Sequence, residues 1–171
     1  MMHVLAQSGS QVLNVGWNTF PLAPTVLTIP TTYWLAAMFD QAGPVSIAYV
    51  NSGNANDEWV AANFVTNNGY VPFPSNPTLN MKDDGKLSFY ADLCFSPPPT
   101  ATPTLPCSNP GYIGNPTVEL TPWDNAGYLD TNRVLVNSPV TISHIMLYVD
   151  YSSGNQARVN VCSAMLATAC A

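Results

Sequence analysis

Alternation of apolar and polar residues recurs along the chain and predicts β-strands. The clearest run, 87–95, places five apolar side chains on one face: Leu87, Phe89, Ala91, Leu93 and Phe95. A shorter run, 157–163, sets two valines against three other side chains: Arg158, Asn160 and Cys162. Such alternation is typical of strands that bury one face against a core.

The longest run covers residues 139–151 and predicts a strand at the centre of a sheet. Its two faces hold Thr141, Ser143, Ile145, Leu147, Val149 and Tyr151 on one side and Val140, Ile142, His144, Met146, Tyr148 and Asp150 on the other. Both faces are fairly apolar after Ile145, so we expect this strand to be covered on both sides.

Weaker strand candidates complete the prediction: 11–17, 25–29, 33–39, 45–50, 58–65, 117–121 and 133–136. Clusters of Asn, Asp, Ser and Gly mark turns between them. Evidence for helices is thin, and aromatic residues favour a strand even where two helical turns would fit, at 33–41. The sequence therefore predicts one all-β antiparallel domain over residues 1–171, a jelly-roll-type barrel or sandwich.

A Pro-rich segment interrupts this pattern. Residues 97–116 contain seven prolines in twenty positions. Because proline cannot donate a backbone hydrogen bond, the segment cannot be a central strand. In isolation it resembles an extended linker between domains. Cys94 and Cys107 bracket its first half, however, so we favour a long surface loop of one domain.

The charge content limits the partners that the chain can take. Lys, Arg, Asp and Glu make up 8% of the residues and the net charge is −6, whereas an average protein has about 25% charged residues. Four cations cannot build the basic groove that direct binding of DNA or RNA needs. No apolar run has the length of a membrane-spanning helix, and the first residues lack the pattern of a signal peptide. We expect synthesis in the cytosol or removal of a leader.

The four cysteines are Cys94, Cys107, Cys162 and Cys170, and three pairings are open. We favour local disulfides, in which Cys94–Cys107 closes the Pro-rich loop and Cys162–Cys170 ties the C-terminus to a strand. Free buried thiols are the main alternative. Zinc is disfavoured because the close cysteine pairs of zinc sites are absent and only two histidines exist.

Candidate catalytic chemistry is sparse. His144 lies beside Ser143 in the longest predicted strand, but adjacent strand residues point to opposite faces and cannot form a base–nucleophile pair. The acidic pairs at 57–58 and 83–84 are favoured as solvated turn residues, with a structural Ca²⁺ as the alternative. We therefore predict a protein that is not an enzyme and that has no cofactor and no metal.

Neutral polar and aromatic residues dominate the rest of the chain. Four Trp and fourteen Phe or Tyr favour core and interface roles, with sugar stacking as the alternative. Surfaces that lack charge lose little on desolvation, which favours repeated self-assembly. The stretch 1–20 has no Lys, Arg, Asp or Glu. As an edge strand it would invite pairing with another chain, and completion of its own barrel is the alternative.

In its size, its Met start, its low charge and its strand-and-proline-loop pattern, the chain resembles the smaller single-barrel major capsid protein of sphaerolipovirus-like phages. These are tailless icosahedral viruses with an internal membrane. The resemblance covers the whole chain and is one of overall character. It implies a vertical single barrel that forms dimers or higher oligomers. It also implies two kinds of partner, a second, larger capsid protein and the proteins of the internal membrane.

A secreted carbohydrate-binding or adhesin module is the rival hypothesis. It accounts equally well for a β fold, a neutral surface and disulfides, but it does not account for the missing leader. The two hypotheses predict different behaviour. A capsid subunit self-associates and belongs to the virion, whereas a carbohydrate-binding module binds glycans as a monomer or a fixed dimer.

Overall fold

The computed structural model describes residues 2–28, 31–51, 58–61, 64–65, 70, 81–83, 85–94, 110–119 and 121–164. Within these ranges the chain is built almost entirely of strands. In chain order they are β1 (Met2–Gln7), β2 (Gln11–Val12), β3 (Gly16–Leu27), β4 (Thr31–Phe39), β5 (Val45–Asn51), β6 (Glu58–Ala61), β7 (Met81–Asp83), β8 (Gly85–Leu87), β9 (Phe89–Cys94), β10 (Pro110–Gly114), β11 (Thr121–Asp124), β12 (Leu129–Val136), β13 (Val140–Ser152) and β14 (Gln156–Ala164).

The strands form two antiparallel sheets that pack face to face. Sheet A has the order β1-β14-β4-β12-β6-β7, and β2 also pairs with β14. Sheet B has the order β10-β9-β13-β5-β11, while β3 pairs with β13 and β8 pairs with β5. The predicted all-β class is confirmed, as a sandwich of antiparallel sheets.

The main core lies between the two sheets. Alternate residues of the long strands point into it, and Phe20, Phe39, Phe89 and Leu147 are among its fully buried side chains. Full burial of one such side chain contributes roughly 1.5–3 kcal/mol. The contact between the sheets is therefore the main source of stability.

A second apolar cluster covers the outer face of sheet A. Trp34, Ala36 and Met38 of β4 point away from the main core and pack with residues from other elements: Phe64, Val65, Leu129 and Cys162. The backbone N–H of Val65 donates to the carbonyl oxygen of Gly127 at 3.0 Å, which holds this cover against the turn after β11. Strand β4 is thus buried on both faces, which explains its nearly unbroken apolar sequence.

Sheet B divides at Ser88. Strand β8 pairs with the end of β5, while β9 pairs with β13. Between them, the N–H of Ser88 donates to the carbonyl of Ala48, and its own carbonyl accepts from the N–H of Tyr148, both at 3.0 Å. The segment 85–94 therefore lies as a wedge between β5 and β13.

Most predicted strands are present with shifted bounds. The run 87–95 buries its four described apolar side chains as predicted, and Phe95 lies outside the described residues. The stretch 33–39 is the strand β4 rather than a helix. The candidate 58–65 is a strand only as far as Ala61, and 117–121 is wrong because its strand begins at Thr121. Strands β1, β7 and β10 have no counterpart among the predictions.

Strand β13 departs from the predicted alternation. Its register with β9 shifts between Ile142 and His144, which marks a β-bulge with Ser143 as the extra residue. Its register with β3 shifts at the same point, where three residues of β3, 22–24, lie opposite Ser143. The bulge brings the two halves of the strand into phase, so that Val140 and Ile142 point into the same core as Ile145. The prediction that they lie on opposite faces is wrong, because strict alternation assumes an uninterrupted ladder.

The predicted cover over both faces of β13 is also wrong. The strand is central, since β3 pairs with it and both β9 and β5 pair with it as well. Its outer face is open, however. Met146 and Tyr148 are half-buried there, and His144 is exposed.

The Pro-rich segment ends in strand β10. Pro110 is the first residue of β10 and lies opposite Cys94, the last residue of β9. Proline is tolerated at the start of an edge strand, because no ladder hydrogen bond depends on its missing N–H. The chain over 95–109 therefore joins two neighbouring strands of one sheet, and these residues themselves lie outside the described part.

Candidate functional site

The outer face of sheet B carries a cluster of aromatic and polar side chains. Strands β10, β9, β13 and β3 contribute to it, because alternate residues of each point away from the core. Cross-strand pairing arranges ten residues in three rows: Tyr112, Asp92, His144 and Pro21; then Gly114, Tyr90, Met146 and Thr19; then Tyr148 and Trp17. We call these ten residues the aromatic face.

Four rings of the aromatic face touch in series. Trp17 meets Tyr90 and Tyr148 edge to face, with ring centroids 5.1 and 5.4 Å apart. Tyr90 in turn meets Tyr112, with centroids 5.9 Å apart. Each such pair adds about 0.5–1.5 kcal/mol beyond burial. The rings therefore hold one another in place, while Tyr112, at the open end, keeps 57% of its surface exposed.

Asp92 gives the aromatic face a carboxylate. It is half-buried, beside Tyr90 along β9 and opposite both Tyr112 and His144 across the ladder. Burial, and then the charge of Asp92, raise the pKa of the Tyr90 hydroxyl above its usual value of 10.0. That hydroxyl therefore remains a hydrogen-bond donor at neutral pH.

Gly114 lies at the edge of the aromatic face, where there is no space for a side chain. Its φ of 111° is a conformation that side chains rarely adopt. An added Cβ would also collide with the carbonyl oxygen of Phe89 and the backbone of Tyr90. Only glycine fits here, and it lets β10 lie close against β9 beside the two tyrosine rings.

The relation between Ser143 and His144 differs from the prediction. Ser143 Oγ lies 2.9 Å from His144 Nδ1, within hydrogen-bonding distance. Strict alternation separates these side chains, but the bulge brings both towards the outer face. The contact is exposed to solvent, so it lacks the water-excluded surroundings in which a hydrogen-bonded serine and histidine carry out nucleophilic catalysis.

One of the two predicted disulfides is absent. Cys162 is a free thiol, buried in the second apolar cluster against β4, and burial raises its pKa to about 12. The predicted bond from Cys162 to Cys170 is therefore absent, because the Cys162 side chain points into packed apolar residues. Cys107 and Cys170 lie outside the described residues, as does the side chain of Cys94. The Cys94–Cys107 bond stays a prediction.

The acidic pairs predicted as solvated turns also differ in part. Glu58 is only 6% exposed and lies in β6, in register with Asn132 of β12. Asp57 and Asp84 lie outside the described residues, and Asp83 is placed only by its register in β7. Among the described residues, no group of three or more His, Cys, Asp or Glu is arranged to hold a metal.

A buried polar group between the sheets has no counterpart in the sequence prediction. Asp130 is 1% exposed and accepts a hydrogen bond from the amide of Asn125, which is fully buried. The other carboxyl oxygen of Asp130 and the amide oxygen of Asn125 have no hydrogen-bond partner. Burial raises the pKa of Asp130 to about 7, and the bond from Asn125 opposes this only in part. Two residues further along β12, the side-chain oxygen of Asn132 accepts a hydrogen bond from the backbone N–H of Leu87 at 3.0 Å.

Charges are divided between the outer faces of the two sheets. Arg133 and Arg158 lie on the outer face of sheet A, where Arg158 stacks 5.3 Å from the centroid of the Tyr70 ring. The outer face of sheet B carries acidic side chains, among them Asp92, Asp124 and Asp150. The aromatic face itself contains no Lys or Arg.

The uncharged N-terminal stretch pairs within its own sandwich. Strand β1 pairs with β14, and β3 pairs with β13. In the described part of the chain, each has no strand on its second edge. Apolar side chains are exposed along this stretch at Leu5, Val12, Val15 and Val26. Both strands thus pair with strands of the same chain, and pairing of their free edges with another chain stays a prediction.

Comparison with known proteins finds no match for the chain. It matches no known protein family, no curated protein and no solved structure. Among the described residues, no helix has both the length and the hydropathy of a membrane span.

Proposed function

We propose that the protein is a structural virion subunit, a single jelly-roll barrel that assembles into an icosahedral shell around an internal membrane. Its partners in this role are further copies of itself and a second, larger capsid protein, with proteins of the internal membrane as additional candidates. Its role requires no enzyme activity, no cofactor and no direct contact with nucleic acid.

The order of strands is the observation that carries this proposal. Eight strands, taken in chain order, are β1, β3, β4, β5, β11, β12, β13 and β14. In sheet A, β1 pairs with β14, β14 with β4 and β4 with β12, which are strands 1, 8, 3 and 6 of these eight. In sheet B, β3 pairs with β13, β13 with β5 and β5 with β11, which are strands 2, 7, 4 and 5. A jelly roll connects its strands in this order, and it is widely used in viral shells.

Of the remaining six strands, the two-residue β2 lies between the first and second, and β6 to β10 fit this proposal as an elaboration between the fourth and fifth. Their additions extend sheet A beyond β12 and divide sheet B at Ser88. The exposed apolar side chains beside β1 and β3 supply neutral surface for contacts between subunits, at little desolvation cost. Both observations support an assembling subunit.

Sedimentation of the full-length protein tests the proposal. Removal of residues 1–20 would delete β1 and the core residue Phe20, so substitution is the sharper test. We expect oligomers in the micromolar to millimolar range. Val26→Lys, which places a charge on the exposed edge of β3, should lower the oligomer mass. Leu135→Lys is the matched control, since Leu135 is equally exposed (61% against 62%) on sheet A.

A monomer at every concentration, alone and with the larger capsid protein, would contradict the proposal. The second candidate function, a secreted carbohydrate-binding or adhesin module, would then be preferred. The aromatic face is the observation that favours it, because exposed aromatic rings on a β-sandwich are suited to stacking against sugars.

A further inference from the structure

The aromatic face combines features that a subunit contact would not require together. Its rings are already ordered by their contacts with one another, so little conformational entropy is lost on binding. Its aliphatic side chains are those of Pro21 and Met146, and the sulfur of Met146 lies 3.1 Å from Thr19 Oγ1. Polar groups that can donate or accept hydrogen bonds stand directly beside exposed ring surface.

The first row of the aromatic face sets the size of a ligand. Tyr112, Asp92 and His144 are cross-strand neighbours on three adjacent strands. Adjacent strands lie about 4.8 Å apart, so the row spans about 10 Å. One small ring stacked near Tyr112 is therefore within reach of the carboxylate of Asp92 and the imidazole of His144.

Charge decides the chemical class of the ligand. The aromatic face has one carboxylate and no Lys or Arg, so it offers no counter-charge to phosphate, sulfate or a carboxylate. A neutral ligand with an apolar ring face and hydroxyl groups matches aromatic rings flanked by a hydrogen-bond acceptor and an imidazole. Sugars have this combination.

We propose that the aromatic face binds a neutral saccharide, with one sugar ring stacked on Tyr112 and its hydroxyl groups bonded to Asp92 and His144. Tyr90, Trp17 and Tyr148 act as positioning residues that hold the ring of Tyr112. Among the described strands, β10 is the edge of sheet B, so a longer saccharide can extend past it. The inference deepens the second candidate function and is independent of assembly into a shell.

Titration of the full-length protein tests the saccharide site. The probes are neutral oligosaccharides of glucose, galactose, mannose and N-acetylglucosamine, and calorimetry measures the binding of each. We expect saturable binding of at least one of them. Tyr112→Ala should weaken it about tenfold through lost stacking, and Asp92→Asn about threefold or more through a lost acceptor. Trp123→Ala is the control, because Trp123 is 42% exposed but stacks on Tyr49, outside the aromatic face.

The outcomes separate this inference from the capsid proposal. Failure of every oligosaccharide to bind the wild-type protein would overturn the saccharide site, whatever the oligomer mass. Equal weakening by Tyr112→Ala and Trp123→Ala would also overturn it. A lower oligomer mass for Tyr112→Ala, without saccharide binding by the wild type, would assign the aromatic face to subunit contacts instead. Asp92→Asn supplies the comparison if Tyr112→Ala does not fold.

Discussion

Asp130 shows how strongly one buried residue can tie stability to pH. Its carboxyl group is shielded from water between the sheets and is bonded by one neutral amide, from Asn125. A charge in this position would lack compensation, so the proton is retained. The folded protein therefore holds a proton that the unfolded chain releases near the ordinary pKa of 3.8.

The first prediction concerns this proton. Because the pKa of Asp130 is raised to about 7 in the folded protein, its contribution to stability is complete below about pH 4, falls as the pH rises, and is lost above about pH 7. Asp130→Asn should flatten the dependence on pH over this interval. The free energy of unfolding in urea at pH 4, 6 and 8 measures this dependence. Asp150→Asn, at an exposed position, should leave the dependence unchanged, and equal curves for Asp130→Asn and the wild type would contradict the assignment.

The bulge in β13 shows that the side-chain directions of a strand depend on the strands with which it pairs. Ser143 is an extra residue relative to β9, whereas three residues of β3, 22–24, lie opposite it between Thr25 and Pro21. It allows Val140 and Ile142 to share the core with the second half of the strand. The side-chain phase of β13 therefore depends on one added position rather than on the identity of its apolar residues.

Deletion of Ser143 is the corresponding prediction. The shortened strand would alternate without interruption, and Ile142 would lie two positions before Ile145, so Val140 and Ile142 would still point into the core. We expect the shortened protein to fold, with a loss of less than about 3 kcal/mol, since no buried apolar side chain leaves the core. Ser143→Ala keeps the bulge and should cost less than about 0.5–1 kcal/mol. Denaturant midpoints measure both, and failure of the shortened protein to fold would contradict the placement of the bulge at Ser143.

Sequence alone was informative where alternation is regular and one face meets the core. The run from Leu87 to Leu93 and the valines of β14 are buried as predicted. It failed where a second element decides the outcome. The bulge at Ser143 depends on paired strands, and burial of Cys162 depends on the cover over sheet A. The rows of the aromatic face exist only through register, although the outward positions of Tyr90 and Asp92 follow from alternation along β9.

At the scale of the whole molecule, the scarcity of charge separates this sandwich from ordinary soluble domains. Apolar side chains are exposed beside β1 and β3 with no Lys, Arg, Asp or Glu in the segment that contains them. Both edges carry features that hinder direct strand addition, namely the bulge in β1 after Val4 and the prolines Pro21 and Pro24 of β3. Contacts between subunits should therefore be made by neutral side chains rather than by extended ladders.

The prediction for the assembled protein concerns salt. Neutral contacts are not screened by ions, so the oligomer mass should be the same at ionic strengths of about 0.05 and 1 M. Sedimentation at both values measures this. An engineered charge pair between subunits would behave differently, dissociating as salt rises. Dissociation of the wild-type oligomer at high salt would show that its few charged side chains make the contacts.

The division of charge between the two outer faces has a further consequence. Arg133 and Arg158 lie on one side of the sandwich, where Asp40 is within electrostatic reach of Tyr70, whereas Asp92, Asp124 and Asp150 lie on the other side together with the described cation Lys86. Opposite charges separated by the thickness of two sheets form an electric dipole directed across the molecule. A subunit with such a dipole turns in the field of a charged surface before contact. Its orientation on arrival is then biased, with sheet A towards an anionic surface and the aromatic face away from it.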